Sequence, residues 1–185
     1  MFSAYIERPS NCRFEGQDPN EKILLLLRAH PITNLSWIAL SIFIFFIPFA
    51  VFKIVPLIGF DLALFPETYQ LAGIIINYLF VLIVVFEGFL NWYFNVSIVT
   101  NEKIIDMEFE YLLYKAVDLA PLPKIEETDS VTAGILGTLF NFGNVKVQTA
   151  GATVAIEMHN IPHPATVADI ILDLIGKPYT RVVPE

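Results

Sequence analysis

Two long stretches without a charged residue constrain this chain more than any other feature of its sequence. The first covers residues 31–52 and the second covers residues 68–86, which makes 22 and 19 uncharged residues. An α-helix needs about 20 apolar residues to cross the hydrocarbon core of a bilayer. Neither stretch alternates apolar with polar residues, as a strand of a membrane barrel would. The sequence therefore predicts a two-helix transmembrane hairpin over residues 31–90, with helices at about 34–55 and 68–90.

A few residues in and beside these stretches are polar or break helices. Pro48 removes a backbone donor from the first helix, and we expect a kink there. Asn77 lies deep in the second stretch and can hydrogen-bond to the first helix, for instance to Ser41, because hydrocarbon offers no other partner. Glu87 lies near the end of the second helix, where its carboxylate can reach the headgroup layer. The alternative interpretation of Asn77 and Glu87 is a polar path through the membrane.

The distribution of Lys and Arg predicts the orientation of the hairpin. Ten of the 11 basic residues lie before residue 36 or after residue 87, and the connection 53–67 carries only Lys53. Loops on the cytoplasmic side of a membrane are the ones enriched in Lys and Arg. We therefore expect a multi-pass membrane protein with both termini in the cytoplasm.

Residues 1–30 are predicted to form a cytoplasmic segment ahead of the hairpin. Asp18, Pro19 and Glu21 have the order of a helix start, with an N-cap, a proline in the first turn and an acid three residues after the cap. The apolar run 23–27 is too short to span a membrane. We expect it to form an interfacial helix or to pack on the globular domain. The single cysteine, Cys12, cannot form an internal disulfide.

After residue 91 the period of the apolar residues changes from helical to two. In segments 94–98 and 105–110 apolar residues alternate with polar ones, which is typical of strands buried on one face. The turn at 100–102 joins these two strands as an antiparallel hairpin. Further strands are predicted at about 112–119, 124–131, 145–147 and 154–158. The sequence thus predicts a β-rich domain over residues 91–177 and a tail over residues 178–185.

An amphipathic helix is predicted at the end of this domain. Four apolar residues at positions i, i+3, i+4 and i+7 form one stripe: Val167, Ile170, Ile171 and Leu174. Pro162 or Pro164 starts the helix, and Gly176 with Pro178 ends it. The predicted fold class is α+β. It consists of the transmembrane hairpin followed by a bent antiparallel β-sandwich or barrel of about seven strands, capped by the C-terminal helix.

Three segments of this domain carry a resemblance to a known family. They are residues 93–105 (YFNVSIVTNEKII), 139–151 (LFNFGNVKVQTAG) and 160–164 (NIPHP), and the upstream segment 21–32 adds to them. These segments resemble bacterial pleckstrin-homology-like (PH-like) membrane proteins, the YdbS-like group, and the resemblance covers about residues 14–176. It implies a seven-stranded bent sheet capped by a helix and tethered to two helices in the bacterial cytoplasmic (inner) membrane. It implies no enzymatic activity.

Residue patterns that carry chemistry do not combine into an active site in this sequence. His159 and His163 are four residues apart, but the prolines beside His163 keep the two off one helix face, and a zinc site needs three or four ligands. Glu126 and Glu127 are consecutive on a predicted strand and therefore point to opposite faces. The glycines do not fit a phosphate-binding loop, and no serine nucleophile motif occurs. We expect no enzyme activity, no metal and no cofactor.

The net charge argues against two classes of ligand. It is −8 for the whole chain, and residues 88–185 hold 6 basic and 12 acidic residues, a net charge of −6. Such a domain repels a phosphate backbone, so we expect no binding of nucleic acid. Phosphoinositide binding requires clustered cations in the first hairpin of the domain, and that hairpin offers Lys103 alone, beside Glu102 and Asp106. We expect no phosphoinositide binding either.

An apolar segment between two predicted strands, residues 135–142, is the best candidate for a contact with another molecule. Its apolar side chains are Ile135, Leu136, Leu139, Phe140 and Phe142. In one interpretation the segment folds inward, as part of the core or as a short helical turn. In the other it touches the bilayer or a partner subunit, because exposed apolar surface of this size usually marks a contact. The sequence leaves both interpretations open.

Two functions of different classes fit these observations. The first is a non-enzymatic inner-membrane protein, integral to the lipid bilayer, whose cytoplasmic PH-like domain is a protein-interaction or oligomerisation module. Its contacts are then a protein partner or further copies of the chain. The alternative is a small oligomeric transport or channel component that uses the two-helix hairpin. Asn77 and Glu87 motivate this alternative, together with Ala72 and Gly73, which permit close helix packing.

Overall fold

A computed structural model describes residues 3–9, 12–14, 16–59, 61–110, 114–132, 134–150 and 156–176. The chain forms two compact units. One unites the residues up to 32 with those from 93 onward, and the other consists of residues 33–92. We call the first the domain and the second the helix pair. The predicted tail 178–185 and the start of the strand predicted from residue 154 lie outside the described residues.

The helix pair is built from apolar helices. They are α1 (Leu35–Phe45), α2 (Ile47–Ile54) and α3 (Glu67–Phe94), with 3-10 turns at Pro31–Asn34, Val55–Ile58 and Leu62–Leu64. The first two helices and the turns beside them form one apolar helix, Pro31–Ile58. This helix and α3 are long and apolar enough to cross a membrane. The two apolar helices predicted at about 34–55 and 68–90 are therefore present.

The first apolar helix breaks beside Pro48. α1 and α2 meet at Phe46, which belongs to neither. Because Pro48 has no amide hydrogen, it cannot donate to the carbonyl of Ile44 one turn earlier. The side-chain amide of Asn77 in α3 donates to that carbonyl at 3.1 Å. The break expected from the sequence is present, and the carbonyl of Ile44 accepts a side-chain hydrogen bond from the second helix besides a backbone one at the end of α1.

The acceptor that the sequence suggested for Asn77 is wrong. The hydroxyl of Ser41 donates to the carbonyl of Trp37 at 2.7 Å, a bond that serine often makes inside a helix. A hydroxyl can satisfy itself within its own helix, whereas the carbonyl of Ile44 has lost the donor that a residue other than proline at position 48 would supply. In apolar surroundings the carbonyl of Ile44 is therefore a better acceptor for the amide of Asn77 than the hydroxyl of Ser41. The predicted hydrogen bond between the two helices therefore exists, with a backbone acceptor.

The described residues of the domain form two antiparallel sheets. The five-stranded sheet consists of β1 (Tyr5–Glu7), β2 (Ile23–Arg28), β3 (Val96–Thr100), β4 (Lys103–Glu110) and β5 (Tyr114–Pro121), in that spatial order. The three-stranded sheet consists of β6 (Ile125–Val131), β7 (Phe142–Thr149) and β8 (Ile156–Pro162). Helix α4 (Gly134–Phe140) connects β6 to β7, and α5 (Pro164–Gly176) comes after β8.

The predicted α+β class, with antiparallel sheets and a C-terminal helix, is confirmed. About seven strands were expected, and the described residues form eight, because the segment before the helix pair contributes β1 and β2. The domain therefore starts well before residue 91, where the sequence had placed its boundary. Helix α5 starts at Pro164 and buries its predicted stripe, with Val167 and Ile171 fully buried.

The interfacial helix predicted for residues 23–27 is wrong, because this segment is the strand β2. It pairs with β1 on one side and β3 on the other. Leu25 and Leu27 face the main core and Ile23 faces a second core. A continuous apolar run of this length is what a strand buried on both faces requires. The other interpretation, packing on the globular domain, is the correct one.

The helix-start motif before β2 forms a turn instead of a helix. The carboxylate of Glu21 accepts a hydrogen bond from the amide of Asp18 at 3.1 Å, as in a capping box. The amide of Glu21 donates to the carbonyl of Asp18 at 3.0 Å, which closes the turn. The local signal is thus real, but the chain continues as a strand after this turn because the sheet requires a central strand there.

Two clusters of buried side chains hold the domain together. The main core fills the space between the two sheets and α5, with Leu27, Val99 and Ile104 from the first sheet and Val147, Met158 and Ile171 opposite them. The second core lies on the other face of the five-stranded sheet, where Ile23, Ile98 and Ile105 are covered by Cys12 and Phe14. The N-terminal segment therefore completes the domain on both faces of the sheet.

Candidate interaction site

Helix α4 exposes the apolar side chains that the sequence singled out. The exposed fractions are 86% for Ile135, 52% for Leu136, 71% for Leu139 and 42% for Phe140. Gly137 is the buried residue of the helix. Ile135 and Leu139 are one turn apart and lie on the face opposite Gly137. The helix thus presents its smallest residue to the domain and its aliphatic residues to the outside.

Close packing around two glycines keeps α4 in this orientation. A Cβ atom on Gly137 would lie 3.0 Å from the carbonyl oxygen of Phe142. A Cβ atom on Gly143 would collide with the carbonyl oxygen of Val131, where β6 and β7 lie side by side. Because a larger side chain would crowd these backbone atoms, the glycine face of α4 fits against the domain better than the face of Ile135.

Of the two interpretations of residues 135–142, the structure supports parts of both. The segment is a short helix, as one of them expected, but Ile135, Leu136 and Leu139 do not join the core. Phe142 does turn inward and is half-buried at the start of β7. What the exposed side chains contact is therefore a separate question, and the surroundings of α4 bear on it.

His30 packs against the end of α4. Its ring stacks on Phe142, with ring centres 5.3 Å apart and planes 17° apart, and lies 6.3 Å from the ring of Phe140. Its Nδ1 accepts a hydrogen bond from the amide of Ile32 at 3.2 Å. Burial lowers the pKa of His30, and the nearby His163 lowers it further. The lowered pKa favours the neutral ring in this apolar stack, and His30 lies directly before Pro31, where the first apolar helix starts.

The loops next to His30 are held in fixed turns. Asn141 and His163 both have a positive φ, of 51° and 52°. The amide of His163 donates to the carbonyl of Asn141 at 2.9 Å, and Asn141 Nδ2 lies 2.8 Å from His163 Nδ1. The rings of Tyr5 and His163 pack in a T-shaped arrangement, with their centres 5.9 Å apart. His163 and His159 are both exposed, as expected, and they have different neighbours.

A second group of titratable side chains lies between β4 and β8. His159 Nε2 is 3.8 Å from a carboxylate oxygen of Glu108, and His159 Nδ1 is 3.9 Å from Glu157. Next to them Asp106 is only 6% exposed and accepts a hydrogen bond from Ser97 at 2.5 Å. Burial raises the pKa of Asp106 to about 6.

Sequence reasoning placed Asp106 on the solvent face of its strand, and this is wrong. The alternation of Ile105 and Met107 pointed to that assignment, but these two belong to the second core, and Ile104 belongs to the main one. Asp106 therefore shares the inward face with Ile104. The only available signal was the pair of adjacent isoleucines, which indicates a strand covered on both faces.

Lys103 is held by acidic neighbours. Its Nζ lies 3.0 Å from Glu21, which is almost fully buried, and 3.9 Å from Asp18. It also donates to the carbonyl of Gly16 at 3.2 Å. Asp18, Glu21 and Glu102 come together at metal-ligand spacing, but the ammonium of Lys103 lies at two of these carboxylates. These contacts tie Lys103, at the start of β4, to the turn that precedes β2.

Comparison with known families agrees with the two sheets and the C-terminal helix. Residues 31–175 match the family model described as Bacterial PH domain. The chain belongs to this family. The resemblance noted in the sequence is thereby confirmed at the level of the bacterial PH domain. No curated protein matches the chain. The match begins at the first apolar helix and leaves out β1 and β2, although both strands belong to the same sheet of this bacterial PH domain.

Proposed function

We propose that this chain is a non-enzymatic membrane protein that holds its PH-like domain at the cytoplasmic face of the membrane as a protein-binding module. The partners of the domain include further copies of the chain. The observation that carries the proposal is the apolar outer side of β5. This strand is the last of its sheet in the described part of the chain, and Val117 and Leu119 are 49% and 54% exposed. An edge strand with such residues is a template for pairing with another chain.

The pairing of β2 with β3 supports the membrane topology that the proposal needs. The helix pair is inserted between these two strands in the sequence, and the strands are hydrogen-bonded to each other. Strands of one sheet cannot lie on opposite sides of a bilayer. If both apolar helices cross, β2 and β3 are therefore on the same side, and the excess of Lys and Arg assigns that side to the cytoplasm.

The exposure pattern of the helix pair supports anchoring in the bilayer. Phe43, Phe49 and Ile76 are 68%, 65% and 66% exposed, whereas Ser41 is buried. Polar groups inside and apolar groups outside are what a hydrocarbon solvent favours. Asn77, one of the residues that motivated the transport alternative, donates its amide to the carbonyl of Ile44. This bond favours a role in holding the two helices together.

The test is crosslinking in intact membranes from β5. A photoreactive residue at position 117 or 119 is compared with one at Leu172, an exposed leucine on α5. We expect adducts from 117 and 119, identified by mass spectrometry as copies of the chain or as one recurring protein, and few from 172. A chain that stays monomeric and without adducts from both β5 positions would contradict the proposal.

A separate labelling experiment tests the orientation. A single cysteine is placed at Asp61, in the connection between the two apolar helices, in a chain whose Cys12 is replaced by serine. We expect labelling by an impermeant reagent from outside the cell. Labelling only from the cytoplasmic side would show that this connection is cytoplasmic and would contradict the proposed orientation.

A further inference from the structure

We propose that α4 is a third membrane contact of this chain, with Ile135, Leu136, Leu139 and Phe140 inserted among the headgroups of the leaflet next to the domain. The occupant of this exposed apolar face is then the lipid surface. The inference rests on the proposed function in one respect, namely that the two apolar helices cross the bilayer. It adds that the domain itself lies against the membrane.

The first support is the inverted orientation of α4. A surface helix of a soluble domain buries its apolar stripe and exposes its polar face. In α4 the buried residue is Gly137, and the most exposed residues are Ile135 and Leu139. Helices that lie in the plane of a membrane present their apolar face in this way, to a depth of about 5–10 Å in the boundary between headgroups and acyl chains.

The second support is the position of α4 within the domain. Phe140, at its end, contacts His30, and His30 is one residue from the start of the first apolar helix at Pro31. The headgroup layer on each side of a bilayer is about 5–8 Å thick. A ring centred 6.3 Å from that of His30 is therefore within reach of this layer where the chain enters the membrane.

The third support is the charge of the segment. Between Asp129 and Lys146 the sequence has 16 residues without an acidic or basic side chain. Elsewhere residues 88–185 carry twice as many acidic as basic residues. Acidic side chains are repelled by the anionic lipids of the cytoplasmic leaflet. The negative charge of the domain is thus kept off the segment that contains α4.

The bilayer is favoured over a second copy of the chain by connectivity. A surface tethered to the membrane through a neighbouring residue meets the lipid at a high effective concentration and without a partner. A second copy of the chain has no such tether to this face and would have to be recruited to it. The edge of β5, to which we assign the protein contacts, is a separate surface.

The experiment measures the depth of single probes in the full chain. With Cys12 replaced by serine, a cysteine at position 135 or 139 carries a polarity-sensitive fluorophore, and the protein is reconstituted in vesicles of phosphatidylethanolamine and phosphatidylglycerol. Matched controls carry the probe at Leu172, an exposed apolar position on α5, and at Leu57, which lies in the last turn of the first apolar helix. Quenching by lipid-borne nitroxides is compared with quenching by aqueous iodide.

We expect the probes at 135 and 139 to emit at shorter wavelength, to lose iodide quenching and to be quenched by nitroxides near the headgroups, while the probe at 172 shows the reverse. Free iodide quenching at 135 and 139 would overturn the inference. Protection from both quenchers, with crosslinks to another chain, would show that a protein and not lipid covers α4. Iodide quenching of the Leu57 probe from the same side of the vesicle as Leu172 would instead contradict spanning by the helices and with it the proposed function.

Discussion

The domain and the helix pair sort their side chains in opposite ways. In the domain Leu27, Met158 and Ile171 are fully buried, whereas in the helix pair Phe43 is 68% exposed and Ser41 is buried. Water drives apolar groups inward, and hydrocarbon offers no such force. Helix α4 belongs to the domain but has the exposure pattern of the helix pair. This similarity of exposure is what the proposed membrane contact of α4 would explain.

Polar groups differ between the two regions as well. The domain buries the titratable side chains of Asp106 and Glu21 with hydrogen-bonding partners around them. The helix pair contains a neutral amide, Asn77, which satisfies one backbone carbonyl. Burial of a charge is costly in both regions, but the domain can surround it with strands that supply donors. Four sets of variants test this contrast, from the largest expected effect to the smallest.

The test with the largest expected effect replaces an isoleucine by alanine on α5 and, separately, on α4. Ile171→Ala on α5 leaves a cavity in the main core and is expected to lower the free energy of unfolding by about 2–5 kcal/mol. Ile135→Ala on α4 removes an exposed side chain and is expected to change it by less than about 0.5 kcal/mol. Denaturant unfolding of the full chain in mild detergent, monitored by circular dichroism, measures both. Equal losses would show that α4 is packed like α5.

The second test uses the buried aspartate of the domain. The pKa of Asp106 is raised from an ordinary value of 3.8 to about 6, so the folded state favours the protonated form. The stabilisation is present below pH 4 and is lost as the pH rises through 6, which makes ionised Asp106 cost about 3 kcal/mol at neutral pH.

Asp106→Asn keeps the acceptor for Ser97 and removes this cost. The variant is expected to exceed the original chain in thermal stability at pH 7 and to converge with it near pH 4. Asp129→Asn, an exposed change on β6, is the matched control. Parallel pH profiles for the original chain and Asp106→Asn would contradict the raised pKa.

The third test compares two glycines of the same helix. A Cβ atom on Gly88 would lie 2.5 Å from the indole of Trp37, whereas the space around Gly73 is open. Gly88→Ala is expected to destabilise the helix pair by about 1–3 kcal/mol through overpacking. Gly73→Ala is expected to be neutral or to stabilise it by up to about 1 kcal/mol, because alanine favours helix. Thermal unfolding in detergent measures both, and a similar result at the two positions would show that the helices are not packed at Trp37.

The smallest expected effect concerns the hydrogen bond at the helix break. Asn77→Leu removes the donor to the carbonyl of Ile44 and is expected to cost about 0.6 kcal/mol, and at most about 1.7 kcal/mol. In a Pro48→Ala background the backbone amide of residue 48 can serve the same carbonyl, so the cost of Asn77→Leu should shrink. An equal cost in both backgrounds would show that the hydrogen bond of Asn77 does not compensate for the missing amide of Pro48.

Sequence patterns predicted much of the fold because they report local preferences. The hairpin of β3 and β4 and the stripe of α5 depend on residues within a few positions of each other. The segment 23–28 shows the limit of this reasoning. Its six residues fit a short helix or a strand equally well by composition, and only pairing with β1 and β3 decides between them.

The candidate interaction site was predictable in its residues but not in its orientation. The apolar character of Ile135 and Leu139 is visible in the sequence, and so is the possibility of a short helix. That the helix turns these residues outward depends on Gly137 and Gly143, whose neighbours Phe142 and Val131 lie on different strands. His30, which packs against Phe140 at the end of α4, is more than 100 residues away from it in the sequence.

The sequence by itself determined the two apolar helices, the α+β class and the bacterial PH domain, because solvent preference and periodicity are properties of neighbouring residues. Tertiary structure alone decided that β2 is a central strand, that Asp106 faces inward and that α4 presents its apolar side outward. These features depend on which distant segment covers which face. A face can be called buried only when its cover is known, and the cover comes from elsewhere in the chain or, for α4, from the proposed membrane.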